Sequence, residues 1–160
     1  MDKQALRRRV TFLAQEPVLF PGTVRQNLDP FSEYSDAACS SVLQKIAGRH
    51  NWTLDTTVDV GGRGFSQSQR QLVGLARAVL RRSAVVILDE ATASINMETA
   101  IRIQQVLKEE MRESTVITIA HRLEAVRNAD CVMLGKGKLV KAENAKDMLA
   151  EGTGFSGLLG

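Results

Sequence analysis

Apolar and polar positions alternate in blocks along this chain, and the blocks change period. Val10 to Ala14 (Val-Thr-Phe-Leu-Ala) is a short apolar run that predicts a buried strand. A turn-rich stretch follows, holding Pro17, Pro21 and Pro30. Ser35 sits where the N-cap of a helix through Ile46 is expected. Asp59 to Ser68 carries Gly61, Gly62 and Gly64 and predicts a loop. From Gln69 onward Leu72, Val73, Ala76, Val79 and Leu80 step by three and four, the period of an amphipathic helix, until Arg81-Arg82-Ser83 breaks it. Ala84 to Leu88 is a solid apolar run ended by Asp89-Glu90, and it predicts a parallel strand buried on both faces.

A second long helix is expected over Met97 to Met111, with Ile101, Val106 and Leu107 inward. Thr115 to Ala120 predicts another strand, ending at His121, and Arg122 to Arg127 a short helix. Cys131 to Leu134 predicts a strand that Gly135-Lys136-Gly137-Lys138 turns into Leu139-Val140. Asn144 is placed to cap a last helix to Leu149, and the Gly-rich segment from Gly152 is expected to fray. Strands alternating with helices make this an α/β chain with a largely parallel sheet.

Composition narrows the classes. The 160 residues are 44% hydrophobic and 24% charged, enough for one domain with a core. Lys and Arg total 21 against 18 Asp and Glu, a net charge of +3. That excess argues neither for nucleic acid nor for a membrane surface. Cys39 and Cys131 show no CxxC spacing and read as two thiols in a reducing compartment. No apolar run approaches the ~20 residues of a membrane helix, and no apolar signal-peptide core follows the basic start, Met1 to Val10. A link to a membrane is therefore expected through a partner or through sequence outside these residues.

The polar residues that interrupt the apolar blocks carry the candidate chemistry. Ligands of open α/β sheets sit beyond the carboxyl ends of the strands. Two acids at such an end are costly unless a cation or a proton-transfer role keeps them there. Asp89 suits Mg²⁺, a hard ion, and Glu90 suits orienting or deprotonating a water. The alternative is that the pair caps the next turn. Gly64-Phe65-Ser66-Gln67-Ser68-Gln69 runs into a helix, and small residues at a positive helix end suit a phosphate. The alternative there is an ordinary N-cap, supplied by Ser68. His121 and Gln15 each end a strand and are weak signals singly. Taken in order, Gln15, the Ser/Gln loop, Asp89-Glu90 and His121 converge on one edge of one sheet.

With these residues in place, the sequence resembles the nucleotide-binding domain of ATP-binding cassette (ABC) transporters over nearly its whole length. Gln15 matches the Q-loop glutamine, and Phe65-Ser66-Gln67-Ser68-Gln69 with Arg70-Gln71-Leu72 resembles the signature motif. Val85-Val86-Ile87-Leu88-Asp89-Glu90 resembles the Walker B strand with its glutamate, Ala93-Ser94-Ile95-Asn96 the D-loop, and His121 the switch histidine. Pro17 to Phe31 resembles the second nucleotide-binding domain of the C subfamily, the multidrug-resistance and conjugate exporters.

The resemblance implies a P-loop NTPase-like sheet flanked by helices, with a helical signature subdomain. It implies ATP and Mg²⁺ as ligands, and a second nucleotide-binding domain and transmembrane domains as partners, on the cytoplasmic face of a membrane. Glu90, His121 and Gln15 would be catalytic, and Asp89 and Gln15 would serve the metal. Ser66, Ser68 and Gln69 would face a nucleotide held by the partner domain. Catalysis would be positioning and charge stabilisation around the transferred phosphoryl group.

The sequence also departs from the family. No G-x-x-x-x-G-K followed by Ser or Thr occurs in these residues. Ser68 stands in place of the usual signature glycine, and Asn96 in place of the usual D-loop aspartate. The expectation is a partial cassette over residues 1–151, lacking the P-loop strand and truncated before the Q-loop, with a flexible tail over 152–160. Alone it would be cytosolic and inactive. The alternatives are a non-enzymatic module that presents a signature face to a partner ATPase domain, or a non-transport ABC ATPase.

Overall fold

Local sequence accounts for most element boundaries. In the computed structural model, which describes residues 9–119, 133–135 and 138–141, the order is Val10–Leu13 (β1), Gly22–Thr23 (β2), Val24–Leu28 (α1), Asp36–Ala47 (α2), Thr57–Val58 (β3), a 3₁₀ turn at Val60–Gly62, Gln67–Arg81 (α3), Val85–Asp89 (β4), Met97–Glu110 (α4) and Thr115–Ile119 (β5). Two compact units divide after Ile119. In the second, Met133–Gly135 (β6) pairs antiparallel with Lys138–Lys141 (β7) about the expected Gly-Lys turn, with a register shift at Met133/Leu134. The helices expected at 122–127 and 144–149, His121, Cys131 and the tail from 152 lie outside the described residues.

The first unit is built on a parallel sheet in the order β1-β4-β5. Val10 pairs with Val85 and Leu13 with Leu88, and β5 continues the register with Thr115 beside Val85 and Ile119 beside Asp89. Both connections between these strands pass through helices, as parallel pairs require. β2 and β3 form a separate antiparallel pair.

Side chains at Thr11, Leu13, Val86 and Leu88 are buried beneath the helices. The expectation that β4 is buried on both faces is corrected: Val85, Ile87 and Asp89 are only half-buried. The reason is the pleat. Thr11, Leu13, Val86 and Leu88 face the helices, whereas the opposite row carries Phe12 at 59% and Ile117 at 47% exposure. β5 is exposed along its whole length.

The turn-rich stretch after Pro17 also needs correcting, since it holds α1. Thr23 caps α1 with a capping box, its hydroxyl accepting from the Gln26 amide at 3.2 Å while the Gln26 side chain accepts from the Thr23 amide at 2.9 Å. Ser35 caps α2 as expected. In α4 the inward residues are Ala100, Ile103 and Leu107, with Val106 partly buried, while Ile101 is exposed. Placing Ile101 inward put the apolar stripe off its true line, which runs 100-103-107.

Helix α3 is the centre of the unit. Leu72, Val73, Leu75, Ala76, Ala78, Val79 and Leu80 are all buried. Gly74 lets β1 and the Pro17 turn approach closely. A Cβ there would lie 2.6 Å from Leu13 Cδ1 and 2.7 Å from Pro17 Cγ. Arg77 fixes the 17–30 stretch to the same helix. Its guanidinium donates to Val18 O at 2.8 Å, to Asn27 Oδ1 at 2.9 Å and to Asn27 O, and lies 5.8 Å from the centre of the Phe20 ring. Asn27, fully buried, returns bonds to the Phe20 and Thr23 carbonyls and accepts from the Phe20 amide.

Candidate functional site at the carboxyl edge of the sheet

Gln15 follows the carboxyl end of β1, and Asp89 ends the adjacent β4 with Glu90 next after it. The parallel register therefore delivers them to one edge. The Gln15 side-chain amide donates to Glu90 Oε2 at 2.8 Å. Glu90 itself has a left-handed backbone, φ 47°. For a residue with a side chain that conformation costs on the order of 1–3 kcal/mol and persists only when surrounding bonds over-determine it. Here they do. The Glu90 amide donates to Ile119 O at the end of β5 at 2.9 Å, and Glu90 O accepts from the Ala93 amide at 2.9 Å. The turn then aims the carboxylate back toward Gln15.

At the head of α3, Gly64 takes φ 87° and Ser66 is the N-cap. Ser66 Oγ accepts from the Gln69 amide at 3.2 Å, and Gln69 Oε1 accepts from the Ser66 amide at 2.8 Å. The alternative reading, an N-cap supplied by Ser68, is corrected: the cap is Ser66. The reciprocal box needs a Gln or Glu three residues after the cap, and Gln69 supplies it to Ser66. Ser68 lies in the first turn, its hydroxyl 2.9 Å from that of Ser66. The loop is linked to the Gln15 turn by Gln67 Nε2, which donates to Glu16 Oε1 at 3.3 Å. Phe65 packs on Trp52, whose ring stacks on His50 with 4.6 Å between centroids.

Asn96, in place of a D-loop aspartate, is the N-cap of α4, with Oδ1 accepting from the Thr99 amide at 2.9 Å. Asparagine and aspartate cap helices about equally well, so this departure leaves the local backbone intact. Sequence reasoning assigned no role to Gln71. It is fully buried, and its side chain reaches the Gln15 turn, the Glu90 turn and Ser94. A signal was available: a glutamine on the same stripe as Leu75 and Ala78, one turn and two turns on, inside an otherwise apolar face.

The structure thus brings Gln15, Asp89 and Glu90 to one sheet edge. It places Ser66, Ser68 and Gln69 at one helix start, and His121 lies outside the described residues. Among the described residues no group of three or more His, Cys, Asp or Glu side chains could by itself hold a metal. No described helix is long and apolar enough to cross a membrane.

A parallel sheet under helices, with polar residues at the carboxyl ends of its strands, is an α/β arrangement consistent with a P-loop NTPase fold. Fold comparison agrees: a solved bacterial Atm1-family ABC exporter with ATP bound matches at a TM-score of 0.86 and 24% identity, over 99% of this chain and 29% of that one. At that identity the likeness is one of fold. The family model described as "ABC transporter" matches residues 1–93. The chain belongs to the ABC transporter family. It is 42% identical over 171 aligned positions to the ATP-binding cassette transporter abc1 of Schizosaccharomyces pombe (97% of this chain, 12% of that protein). It is 41% identical to the rat ATP-binding cassette sub-family C member 2 (94% of this chain, 10% of that protein). It is 42% identical to the human sub-family C member 4 (84% and 11%). The chain therefore spans only a small part of the curated relatives it matches.

Proposed function

We propose that this chain is part of a nucleotide-binding domain that binds and hydrolyses ATP with Mg²⁺ to drive export, of the C-subfamily, second-domain type. The observation that carries the reading is the Gln15–Glu90 hydrogen bond across the carboxyl ends of two adjacent parallel strands. It supports a role for the Glu90 carboxylate toward a γ-phosphate and its attacking water. The Pro17 to Phe31 stretch and the relatives named sub-family C support the subfamily. The partners are then a second nucleotide-binding domain and transmembrane domains, with the chain on the cytoplasmic face of the membrane.

The donor set suits Mg²⁺. Gln15 uses its nitrogen on Glu90, which leaves Oε1 free to meet a cation, and Asp89 supplies a carboxylate at the same edge. Hard oxygens, few from the protein and the rest from phosphate and water, are what this ion takes. When bound, the ion neutralises charge on the phosphate oxygens. In this reading Glu90 orients and deprotonates the water, Gln15 fixes the Glu90 carboxylate, and His121 contacts the γ-phosphate. Ser66 and Ser68 present hydroxyls, and with Gln69 the positive end of α3, to a nucleotide bound by the partner domain.

The test is Glu90→Gln in a cassette supplied with a P-loop and paired with its partner. Turnover falls by roughly 10²–10⁴-fold, because glutamine keeps the shape but cannot accept the proton, while ATP binding persists. Unchanged turnover removes Glu90 from the role. A second reading, a module that only presents its signature face to a partner ATPase domain, is favoured by the combination of a well-formed α3 start with no P-loop motif in these residues. Calorimetry with MgATP on the 160-residue chain separates the two levels of function. We expect weak or no binding, since the P-loop supplies the main phosphate cradle, and low-micromolar affinity would reveal another phosphate site.

A further inference from the structure

A buried polar side chain must be satisfied, and how it is satisfied shows what it holds together. Gln71 has no exposed surface, and its amide is used at both ends. Nε2 donates to Gln15 O at 3.0 Å and to Glu90 O at 3.4 Å, which engages both of its protons. Oε1 accepts from the Ser94 amide at 3.2 Å. These contacts lie 56, 19 and 23 residues away in sequence. One side chain in the second turn of α3 therefore grips the two main-chain turns that carry Gln15 and Glu90, and also the segment that follows Glu90. The Glu90 turn is the strained one, and Gln71 is one of the bonds that keep it in the left-handed region.

We infer that Gln71 is the positioning residue of this site: it clamps the Gln15 turn and the Glu90–Ser94 turn to the head of α3, and so sets the contact between the Gln15 amide and the Glu90 carboxylate. The inference rests on the proposed reading only for the meaning of that contact. Its geometry is independent of nucleotide. Because Gln71 and the Ser66 cap share the same first turns of α3, a displacement of the signature loop moves both turns of the site with it.

The test uses side-chain amide NMR and hydrogen exchange on the 160-residue chain without nucleotide. In the parent chain, Glu90→Gln shifts the Gln15 side-chain amide signals, because the two groups are hydrogen-bonded. In a Gln71→Met background that response disappears, and the Ser94 amide exchanges about tenfold faster, as expected for the loss of one buried hydrogen bond. Gln71→Glu divides the two readouts. It keeps an oxygen for Ser94 but sets an oxygen where Gln15 O and Glu90 O need a donor, so Ser94 stays protected while the Gln15 response is lost.

An undiminished Gln15 response in either folded variant overturns the inference. So does loss of both readouts in Gln71→Glu, or failure of both variants to reach a cooperative fold, which would make Gln71 a general core residue. If the ATPase reading alone is wrong, both readouts behave as expected, and only the Glu90→Gln turnover experiment fails.

Discussion

Two polar networks meet on the two sides of α3, and they are built to different ends. The first is made of two clusters that meet on α1, Arg77 with Asn27 and Arg25 with Asp29. Asp29 is buried, and its carboxylate accepts from the Glu33 amide at 3.1 Å, the Tyr34 amide at 2.9 Å and Arg25 at 3.1 Å. Arg25 goes on to Tyr34 O and Asp36. Its bonds close on themselves, and the left-handed Ser32 (φ 55°) in its loop is held by its amide donating to Asp29 O at 3.2 Å. The second network joins Gln71, Gln15, Glu90 and Ser94. It contains a left-handed glutamate and an exposed glutamine at a sheet edge. A closed network is what holding a loop to a helix requires. A network that ends at an open edge is what a site requires, and the strain at Glu90 is tolerated because the first network and the core hold the rest in place.

Breaking the first network has the largest effect on stability. Arg77→Met keeps most of the apolar stem but leaves Val18 O and Asn27 O without their Arg77 donor and Asn27 Oδ1 with only the Phe20 amide, and costs about 3 kcal/mol. Urea unfolding of the 160-residue chain at constant m-value measures it. A cost below ~1 kcal/mol would show that the 17–30 stretch docks without this residue.

Asp29 adds a pH dependence to the same network. Burial disfavours its ionised form, but the Tyr34 and Glu33 amides and Arg25 outweigh that and hold its carboxyl below its ordinary value of 3.8. A depressed carboxyl contributes stability that is complete above the ordinary value and is lost as the pH falls through the folded value. Asp29→Asn therefore costs about 2 kcal/mol at neutral pH, and the gap from the parent narrows in strong acid. A gap that stayed constant from neutral pH down through acid would show that ionised Asp29 is not the source.

Changes at the site side are smaller. Ser66→Ala removes the cap of α3 and costs about 1 kcal/mol, read from the same unfolding curves. No loss would mean that the box at Gln69 is broken in solution. Glu90→Gly has the smallest expected effect and the opposite sign. Relief of the left-handed backbone exceeds the entropy cost of glycine, so stability rises by about 0.5 kcal/mol while the Gln15 contact is removed. A destabilised Glu90→Gly would show that Glu90 is held for folding, which would erase the contrast between the networks.

Much of this was readable from the chain because it is local. Ser35 caps α2 through a bond to the residue three positions on, and the apolar run before Asp89-Glu90 forms the expected strand, whereas the equally local cap at Ser66 was masked by Ser68 two residues on. The capping box at Thr23 and Gln26 was equally local, but the three prolines around it drew the reading to turns. Ile101 was misplaced because α4 offers several apolar positions, and only packing selects the line through Ile103. The motifs Gln15, Phe65 to Gln69 and Asp89-Glu90 were legible as residue types in order.

Sequence by itself determined the α/β alternation, the parallel sheet, the starts of α2 and α4 and the chemical character of the sheet edge. Each of these follows from hydrophobic period or from bonds spanning a few residues. Only the tertiary structure decided that the Gln15 amide meets the Glu90 carboxylate, that Glu90 takes a left-handed backbone, and that Gln71 and Arg77 are the two pins of α3. Those outcomes depend on contacts across 19 to 75 residues, and on one strong rule: a polar atom shut away from water must find its partner wherever the fold has placed one.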